Sequence, residues 1–211
     1  MNQTGGILIG LEGGNLYDGT LSNEKVQKTI KKNNHLIGAY YVTEKFQPID
    51  NETVLKYHPR REHYSADQVI RDLEKRHCKL CIIDTLNQPF WQPLDYWKIV
   101  ARFPNILFIL PHMGGYDIVD FIKILDFNSN VYADFSMTQE YFGWCGTRAR
   151  LPIVADSIDY CLTAEKFRKR ILFGSDAPFF SQSVALEKYC QYPHDKEILV
   201  DNFIDLINKI S

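Results

Sequence analysis

The stretch RKRILFGSDAPFF, residues 168–180, contains a short apolar run that ends at a Gly-Ser pair. The run Ile171–Phe173 has the composition of a buried strand core. Asp176 follows at the carboxyl end of this strand, just before Ala-Pro, where a turn is expected. A lone carboxylate in such a place generally binds a partner, and the two candidates here are a metal ion and a proton.

Similar apolar runs recur along the chain, and helix-like segments separate them. We predict seven strands at Ile7–Leu11, Leu36–Val42, Thr53–His58, Lys79–Asp84, Ile106–Leu110, Val131–Ser136 and Ile171–Gly174. The runs lack a clean polar alternation and a helix follows each, which favours a parallel sheet buried on both faces. The predicted class is α/β, either a TIM-barrel-like (β/α) barrel or an open doubly wound sheet.

Helix starts are readable at two serines. Ser22 precedes one helical segment, and Ser65 stands three residues before Gln68, which is the spacing of a capping box. A final amphipathic helix is predicted over residues 195–210 and closes the domain. Its apolar stripe comprises Ile198, Leu199, Phe203, Leu206 and Ile210.

Composition excludes several classes of protein. The 211 residues are 45% hydrophobic, which suits a single domain over residues 1–211. Lys and Arg number 24 against 26 Asp and Glu, so no net field favours nucleic acid or an anionic membrane. No apolar run approaches the ~20 residues of a spanning helix, and the five scattered cysteines do not form a disulfide framework. A cytoplasmic protein with reduced thiols is expected.

Titratable and polar side chains recur at the carboxyl ends of the predicted strands. They are Glu12, Lys56, His58, Asp84, His112, Asp134, Ser136 and Asp176. In a (β/α) barrel the active site lies at this end of the strands. A single Asp there is often only the cap of the next helix, but recurrence at almost every strand indicates a functional site.

Three segments carry a family resemblance: FPNILFILPHMGG (103–115), NVYADFS (130–136) and ILFGSDAPF (171–179). They resemble the amidohydrolase superfamily, in the branch of metal-dependent TIM-barrel hydrolases and decarboxylases similar to aminocarboxymuconate semialdehyde decarboxylase. The pair His-x-Gly-Gly and Gly-Ser-Asp-x-Pro is the most specific part of the likeness. The resemblance implies that His112 acts as an acid/base or polarising group, and that Asp176 binds a metal or handles the proton of an attacking water.

The departures from this family pattern concern the metal ligands. The family's first strand ends in His-x-His, and this chain contains no such motif, which implies an incomplete barrel with seven strands that lacks the first. Asp84 stands where a fifth-strand His ligand is expected. The candidate ligands for one divalent ion, Zn, Mn or Mg, are Asp176, Asp84, His58 and Glu12, and a site without a metal is the alternative.

The loops near these positions contain residues that suit a small anionic substrate. The segment TQEYFGWCGTRARLP, residues 138–152, combines aromatic side chains with arginines. The candidate substrate-binding residues are Lys56, Arg60, Ser136, Trp144, Arg148 and Arg150. Solvated arginines on a packed loop are the alternative interpretation.

Two functional hypotheses remain open at this point. The first is a hydrolase or decarboxylase of a small anionic molecule, with His112 and Asp176 as its catalytic groups. The second is a catalytically inactive barrel that binds a ligand or a partner, which the loss of His-x-His favours. A missing first strand would leave unpaired backbone groups at an edge, so we expect a homo-oligomer, such as a dimer, or an N-terminal segment over that edge.

Overall fold

The computed structural model describes residues 5–11, 22–48, 53–86, 89–141, 151–177 and 179–210. Within these ranges six strands form one sheet in chain order: β1 (Gly6–Ile9), β2 (Leu36–Tyr41), β3 (Val54–Tyr57), β4 (Leu80–Ile83), β5 (Leu107–Leu110) and β6 (Val131–Ala133). Each strand pairs in parallel with the next. Parallel strands in sequential order with intervening helices are the arrangement of a (β/α) barrel, here an incomplete one. The predicted fold class is confirmed.

Helices separate the strands and follow the last of them. They are α1 (Asn23–Ile30), α2 (Pro59–Glu62), α3 (Ala66–Leu73), α4 (Pro93–Arg102), α5 (Ile118–Phe127), α6 (Thr138–Tyr141), α7 (Pro152–Thr163), α8 (Glu165–Arg168), α9 (Gln182–Tyr189) and α10 (Asn202–Ile210). Both predicted helix starts are confirmed, because Ser22 caps α1 and Ser65 forms a reciprocal capping box with Gln68. In the described part of the chain, no helix combines the length and the apolar character needed to cross a bilayer.

The seventh predicted strand lies beside β6 but pairs over a single position. Ile171 forms an isolated parallel bridge with Ala133. The Ala133 carbonyl accepts a hydrogen bond from the Leu172 N–H at 2.8 Å, and the Ala133 N–H donates to the Arg170 carbonyl at 3.0 Å. Beyond this bridge the backbone passes close to the Asp134 carboxylate, since a Cβ on Gly174 would lie 2.6 Å from its Cγ. The chain therefore approaches the polar end of the sheet there.

Side chains alternate between two buried clusters on opposite faces of the sheet. Leu55 and Cys81 belong to the outer cluster, which packs against the helices, whereas Val54 and Ile82 belong to the inner cluster. The buried members of the inner cluster are Ala39, Val54, Leu80, Ile82, Ile109, Tyr132, Leu172 and Leu206. Burial on both faces explains why the strand sequences show no polar alternation.

The final helical segment contributes to both clusters. A π-helical turn over Glu197–Asp201 precedes α10 and divides the predicted apolar stripe. Ile198 therefore packs in the outer cluster and Leu206 in the inner one. Lys79, just before β4, donates from Nζ to the Ile210 carbonyl at 2.8 Å. Helix α10 thus covers the inner face near the amino-terminal ends of the strands.

This packing predicts a large loss of stability when Leu206 is shortened. Leu206 is fully buried, so Leu206→Ala should lower the free energy of unfolding by about 2–5 kcal/mol through lost burial and a residual cavity. The matched control is Ile204→Ala on the same helix, whose side chain is 49% exposed and should matter little. Urea denaturation of both variants checks this; equal losses would show that α10 does not close the inner face.

Candidate active site

A polar layer lies at the carboxyl end of the inner face. Lys56 lies on β3, two residues after Val54. Asp84 lies directly after β4, two residues after Ile82. Because alternate strand residues face the same side, both polar side chains continue the inner face beyond its apolar cluster. Lys56 is 5% exposed and Asp84 is 3% exposed. The sequence prediction that polar groups gather at this end therefore holds for the described strand ends.

Asp84 is the centre of this layer. Its Oδ2 lies 3.6 Å from Lys56 Nζ, 3.5 Å from His58 Nε2 and 3.2 Å from His112 Nε2. Its Oδ1 accepts a hydrogen bond from the Leu86 N–H at 3.3 Å. Burial by itself would raise the pKa of the Asp84 carboxyl, but the neighbouring His58, Lys56 and His112 outweigh it and hold the pKa well below its usual range. Asp84 is therefore a buried, ionised carboxylate.

His112 is held as an imidazolium by its hydrogen bonds. Its Nδ1 lies 2.9 Å from the Ser136 backbone carbonyl, which can only accept, so this nitrogen carries a proton. Its Nε2 faces the ionised Asp84 carboxylate and donates as well. Burial opposes the positive charge, but Asp84, with smaller contributions from Asp176 and Asp134, outweighs it and raises the pKa of His112 to about 9.

An unusual turn after β5 places His112 in the layer. Over Pro111–Asp117 the backbone has positive φ at four consecutive residues: His112 (69°), Met113 (44°), Gly114 (77°) and Gly115 (59°). Glycine tolerates this conformation at low cost, whereas His and Met do so only under constraint from their surroundings. A side chain at Gly114 would also contact the Phe121 ring at 2.2 Å. The glycines of the His-x-Gly-Gly motif therefore suit this turn, and Gly114 is required by it.

Two threonines fix the turn from either side. Thr138 Oγ1 donates to the His112 carbonyl at 2.6 Å, and Thr85 Oγ1 accepts from the Gly114 N–H at 2.8 Å. Thr85 Oγ1 also donates to the Pro111 carbonyl. These bonds connect the ends of β4 and β6 to the turn after β5. The position of the His112 ring therefore depends on the ends of all three strands.

Asp134 and Ser136 form the next part of the layer. Asp134 Oδ1 accepts from the Ser136 N–H at 2.8 Å and from the Ser136 hydroxyl, and it lies 3.3 Å from the His112 N–H. We identified Asp134 at a strand end from the sequence but gave it no role. The signal for its role was the two-residue spacing to Ser136, typical of an Asp side chain that binds the backbone two residues ahead.

Asp176 joins the layer from the segment after the seventh predicted strand. Its backbone has φ 53°, an uncommon value for a residue other than glycine. Burial is the main cause of a raised pKa of the Asp176 carboxyl; Asp84 and Asp134 raise it further, and His112 opposes the change. Asp176 is therefore a carboxyl group that holds its proton more readily than an exposed one, within electrostatic reach of a buried imidazolium.

His58 is the neutral member of the layer. Burial lowers the pKa of His58 to about 3, against the opposing effect of Asp84 and with smaller contributions from Lys56 and Arg60. Its Nε2 faces Asp84, while its Nδ1 is buried and has no hydrogen-bond partner among the described residues. An unsatisfied buried ring nitrogen is a candidate contact for a bound molecule.

The predicted metal ligands do not form a metal-binding group in the described residues. No set of three or more His, Cys, Asp or Glu side chains there is arranged to hold an ion. Both ring nitrogens of His112 already face protein oxygens, and the Asp84 oxygens face nitrogen donors. Glu12 lies outside the described residues. Metal binding by Asp176, Asp84, His58 and Glu12 stays a prediction, and the described part of the set does not fit an ion.

The predicted substrate-binding residues fall into three groups. Lys56 and Ser136 belong to the buried layer. Arg60 is exposed on α2, directly after His58 and Pro59, and its charge acts on His58. The remaining three, Trp144, Arg148 and Arg150, lie outside the described residues. Their roles stay predictions.

Comparison with known proteins bears on family and fold. The sequence model of the family described as amidohydrolase matches residues 55–197, more than half of the chain. No curated protein is significantly similar to the chain. The sequence match includes β4 to β6, β3 except for its first residue, and every described residue of the polar layer.

Solved structures share the fold at low sequence identity. An uncharacterised TIM-barrel protein from Bordetella bronchiseptica is 18% identical, with 98% of this chain and 78% of that one covered and a TM-score of 0.75. A probable 2-pyrone-4,6-dicarboxylic acid hydrolase from Acinetobacter baumannii, with citric acid bound, is 15% identical (97% and 84% covered, TM-score 0.61). An amidohydrolase 2 from Bifidobacterium longum subsp. infantis is also 15% identical (97% and 80%, TM-score 0.61).

Proposed function

Since the chain belongs to the amidohydrolase family, we propose that it is a hydrolase, or a decarboxylase, of a small anionic molecule, with His112 and Asp176 as its catalytic groups. The observation that carries the proposal is the buried His112 imidazolium within electrostatic reach of Asp176, two groups whose pKa values are both raised by their surroundings. Such paired displacements of pKa are concentrated at catalytic sites.

For hydrolysis, each group has a defined task. Asp176 accepts a proton from a water molecule as the water oxygen attacks the substrate carbonyl carbon. The His112 imidazolium and the Lys56 ammonium, both beside Asp84, stabilise the negative charge that develops on the carbonyl oxygen. Protonated Asp176 then returns its proton to the leaving group as the bond between the carbonyl carbon and the leaving group breaks.

Two further observations support the proposal that the substrate is anionic. Arg60 supplies an exposed guanidinium immediately after the polar layer, where it could bind a carboxylate in bidentate fashion. The Acinetobacter protein is described as a probable hydrolase of a dicarboxylic acid and contains citric acid, so a barrel of this shape accommodates a polycarboxylate. We infer the same class of ligand for this chain.

The second candidate function is ligand binding without catalysis. It is favoured by the saturation of the Asp84 carboxylate, whose oxygens face Lys56, His58, His112 and the Leu86 N–H. A carboxylate with its oxygens paired in this way is poorly placed to accept a further proton. In this second function the cluster forms a rigid, buried base of the site on which an anion binds. A homo-oligomer that covers the edge of β1, which has no partner strand among the described residues on that side, is compatible with either function.

The experiment that separates the two functions is a hydrolysis and decarboxylation screen with anionic esters, amides, lactones and β-keto acids, repeated with His112→Asn. Loss of the imidazolium that stabilises the oxyanion should lower kcat/KM by about 10²–10³-fold. His77→Asn, at an exposed position, is the matched control and should leave turnover unchanged. Binding of such anions to the wild-type protein with no turnover would support the second function and exclude the first.

A further inference from the structure

We propose that Lys56 supplies the fixed positive charge of this site in the place of a divalent metal ion, so that turnover requires no metal. The inference rests on the proposed function in one respect, namely that the site is catalytic. It goes beyond that function because it assigns to Lys56 the electrostatic task that a bound divalent ion could otherwise perform, and it makes the chain independent of metal.

The first step of the argument concerns the ligands that a metal would need. A divalent ion binds carboxylate oxygens at about 2.0–2.2 Å and needs lone pairs from several side chains. Asp84 Oδ2 instead faces Lys56 Nζ at 3.6 Å and His112 Nε2 at 3.2 Å. An ion at Asp84 would have to displace one of these donors and would then lie beside the charge of the other.

The second step concerns His112. Its Nδ1 lies 2.9 Å from the Ser136 carbonyl and its Nε2 lies 3.2 Å from Asp84 Oδ2, so both ring nitrogens already face protein oxygens. The turn bonds from Thr138 and Thr85 fix its backbone on both sides. A change of tautomer or ring position would break bonds that three strand ends share. The layer's other candidate ligands are His58, Asp134 and Asp176, and among the described residues no three His, Cys, Asp or Glu side chains are arranged to hold an ion.

The third step concerns Lys56 itself. Its side chain is 6% exposed on a strand otherwise packed with apolar residues, and a buried ammonium is costly unless it is paired. The pairing with Asp84 provides a compact cation at a fixed position within the polar layer. An ammonium there can stabilise an oxyanion on a substrate carbonyl by the same electrostatic principle as a Lewis-acidic ion.

The first test measures metal binding, which does not depend on activity. The purified protein is incubated with excess Zn²⁺, Mn²⁺ or Mg²⁺, desalted and analysed for metal content, and its Tm is compared with and without EDTA. We expect far less than one equivalent and an unchanged Tm. One equivalent of metal that disappears in Asp84→Asn or in Asp176→Asn would overturn the inference. Metal that persists in both variants is bound elsewhere in the protein. Lys56 then has no competing ion beside Asp84, as proposed.

The second test replaces the ammonium chemically. Lys56→Ala removes a fragment equivalent to n-propylammonium, and this ion should bind the variant and raise its Tm by about 3 °C. Propanol has the same shape without the charge and should not raise it, and neither compound should affect the exposed control Lys98→Ala. Equal effects of propanol and propylammonium on folded Lys56→Ala, or none from either, would contradict the role of a fixed cation.

These measurements distinguish a failure of this inference from a failure of the proposed function. If Lys56→Ala does not fold, the metal content of the wild-type protein decides alone. If the substrate screen finds no turnover, the catalytic proposal fails while the metal and amine results still stand. If turnover is found, chelation by EDTA should leave kcat unchanged, and its loss with recovery on adding metal would overturn the inference.

Discussion

Replacing Asp176 by Asn should lower kcat/KM by about 10³-fold, because the carboxyl group that accepts the proton of the attacking water is lost. The folded protein should not lose stability in the process. Burial raises the pKa of Asp176, which means that its ionised form is disfavoured in the folded state. An amide of nearly the same shape removes that penalty, so an inactive variant that is at least as stable as the wild type is expected.

The pH dependence of this effect has a definite sign. An unfolded Asp titrates near pH ~3.9, and Asp176 titrates higher in the folded protein, so its ionisation weakens the wild type progressively as pH rises above that value. The Tm of Asp176→Asn should therefore match the wild type at pH ~3.5 and exceed it at neutral pH. Asp156→Asn, at an exposed position on α7, is the control for both measurements. Undiminished turnover, or a large drop in Tm, would show that Asp176 is structural.

Much of the fold was predictable because local patterns dominate it. Five of the six strands fall within predicted apolar runs and β1 begins one residue before its predicted run, since a strand buried on both faces needs a continuous run. The division of the last helix was not predictable. Its stripe of Ile198 and Leu206 has helical spacing, and only contact with two separate clusters explains the π-helical turn between them.

The candidate site was predictable as a set of positions but not as a set of contacts. Strand alternation places Lys56 and His58 on the same face of the sheet, and this placement follows from the sequence alone, without knowing which residues contact them. Asp84 was interpreted as a substituted metal ligand, whereas it lies within an ion-pair distance of Lys56. The difference depends on the distance between strand ends and on the positive-φ turn at His112, and a single sequence encodes neither in a local pattern.

Replacing Asp84 by Asn should cost about 3–5 kcal/mol of unfolding free energy, because the change leaves the Lys56 ammonium and the His112 imidazolium buried without their counter-charge. The loss reflects the burial of that uncompensated charge more than the net value of the pairs. Lys56→Met combined with Asp84→Asn should therefore lose much less than the sum of the two single variants. Urea denaturation at neutral pH provides all three values. Asp120→Asn, which breaks an exposed pair with Lys123, is the control and should cost less than about 1 kcal/mol.

The pH profile of the Asp84→Asn effect follows from the two displaced pKa values. Asp84 has a lowered pKa, so its contribution is present above the unfolded value of about 4 and is lost as pH falls toward the folded one. His112 has a pKa raised to about 9, so its contribution is complete below the unfolded value, ~6.5, and is lost as pH rises through the folded one.

The stability difference between the wild type and Asp84→Asn should therefore be largest between pH ~4 and ~6.5 and shrink on either side. The imidazole signals of His112, followed by NMR, should show its pKa fall from about 9 in the variant, since Asp84 is the main group that raises it. A difference that is flat across this range, or no larger than that of Asp120→Asn, would mean that solvent screens the cluster. In that case neither the imidazolium at His112 nor a fixed ammonium at Lys56 would be maintained by its pairing with Asp84.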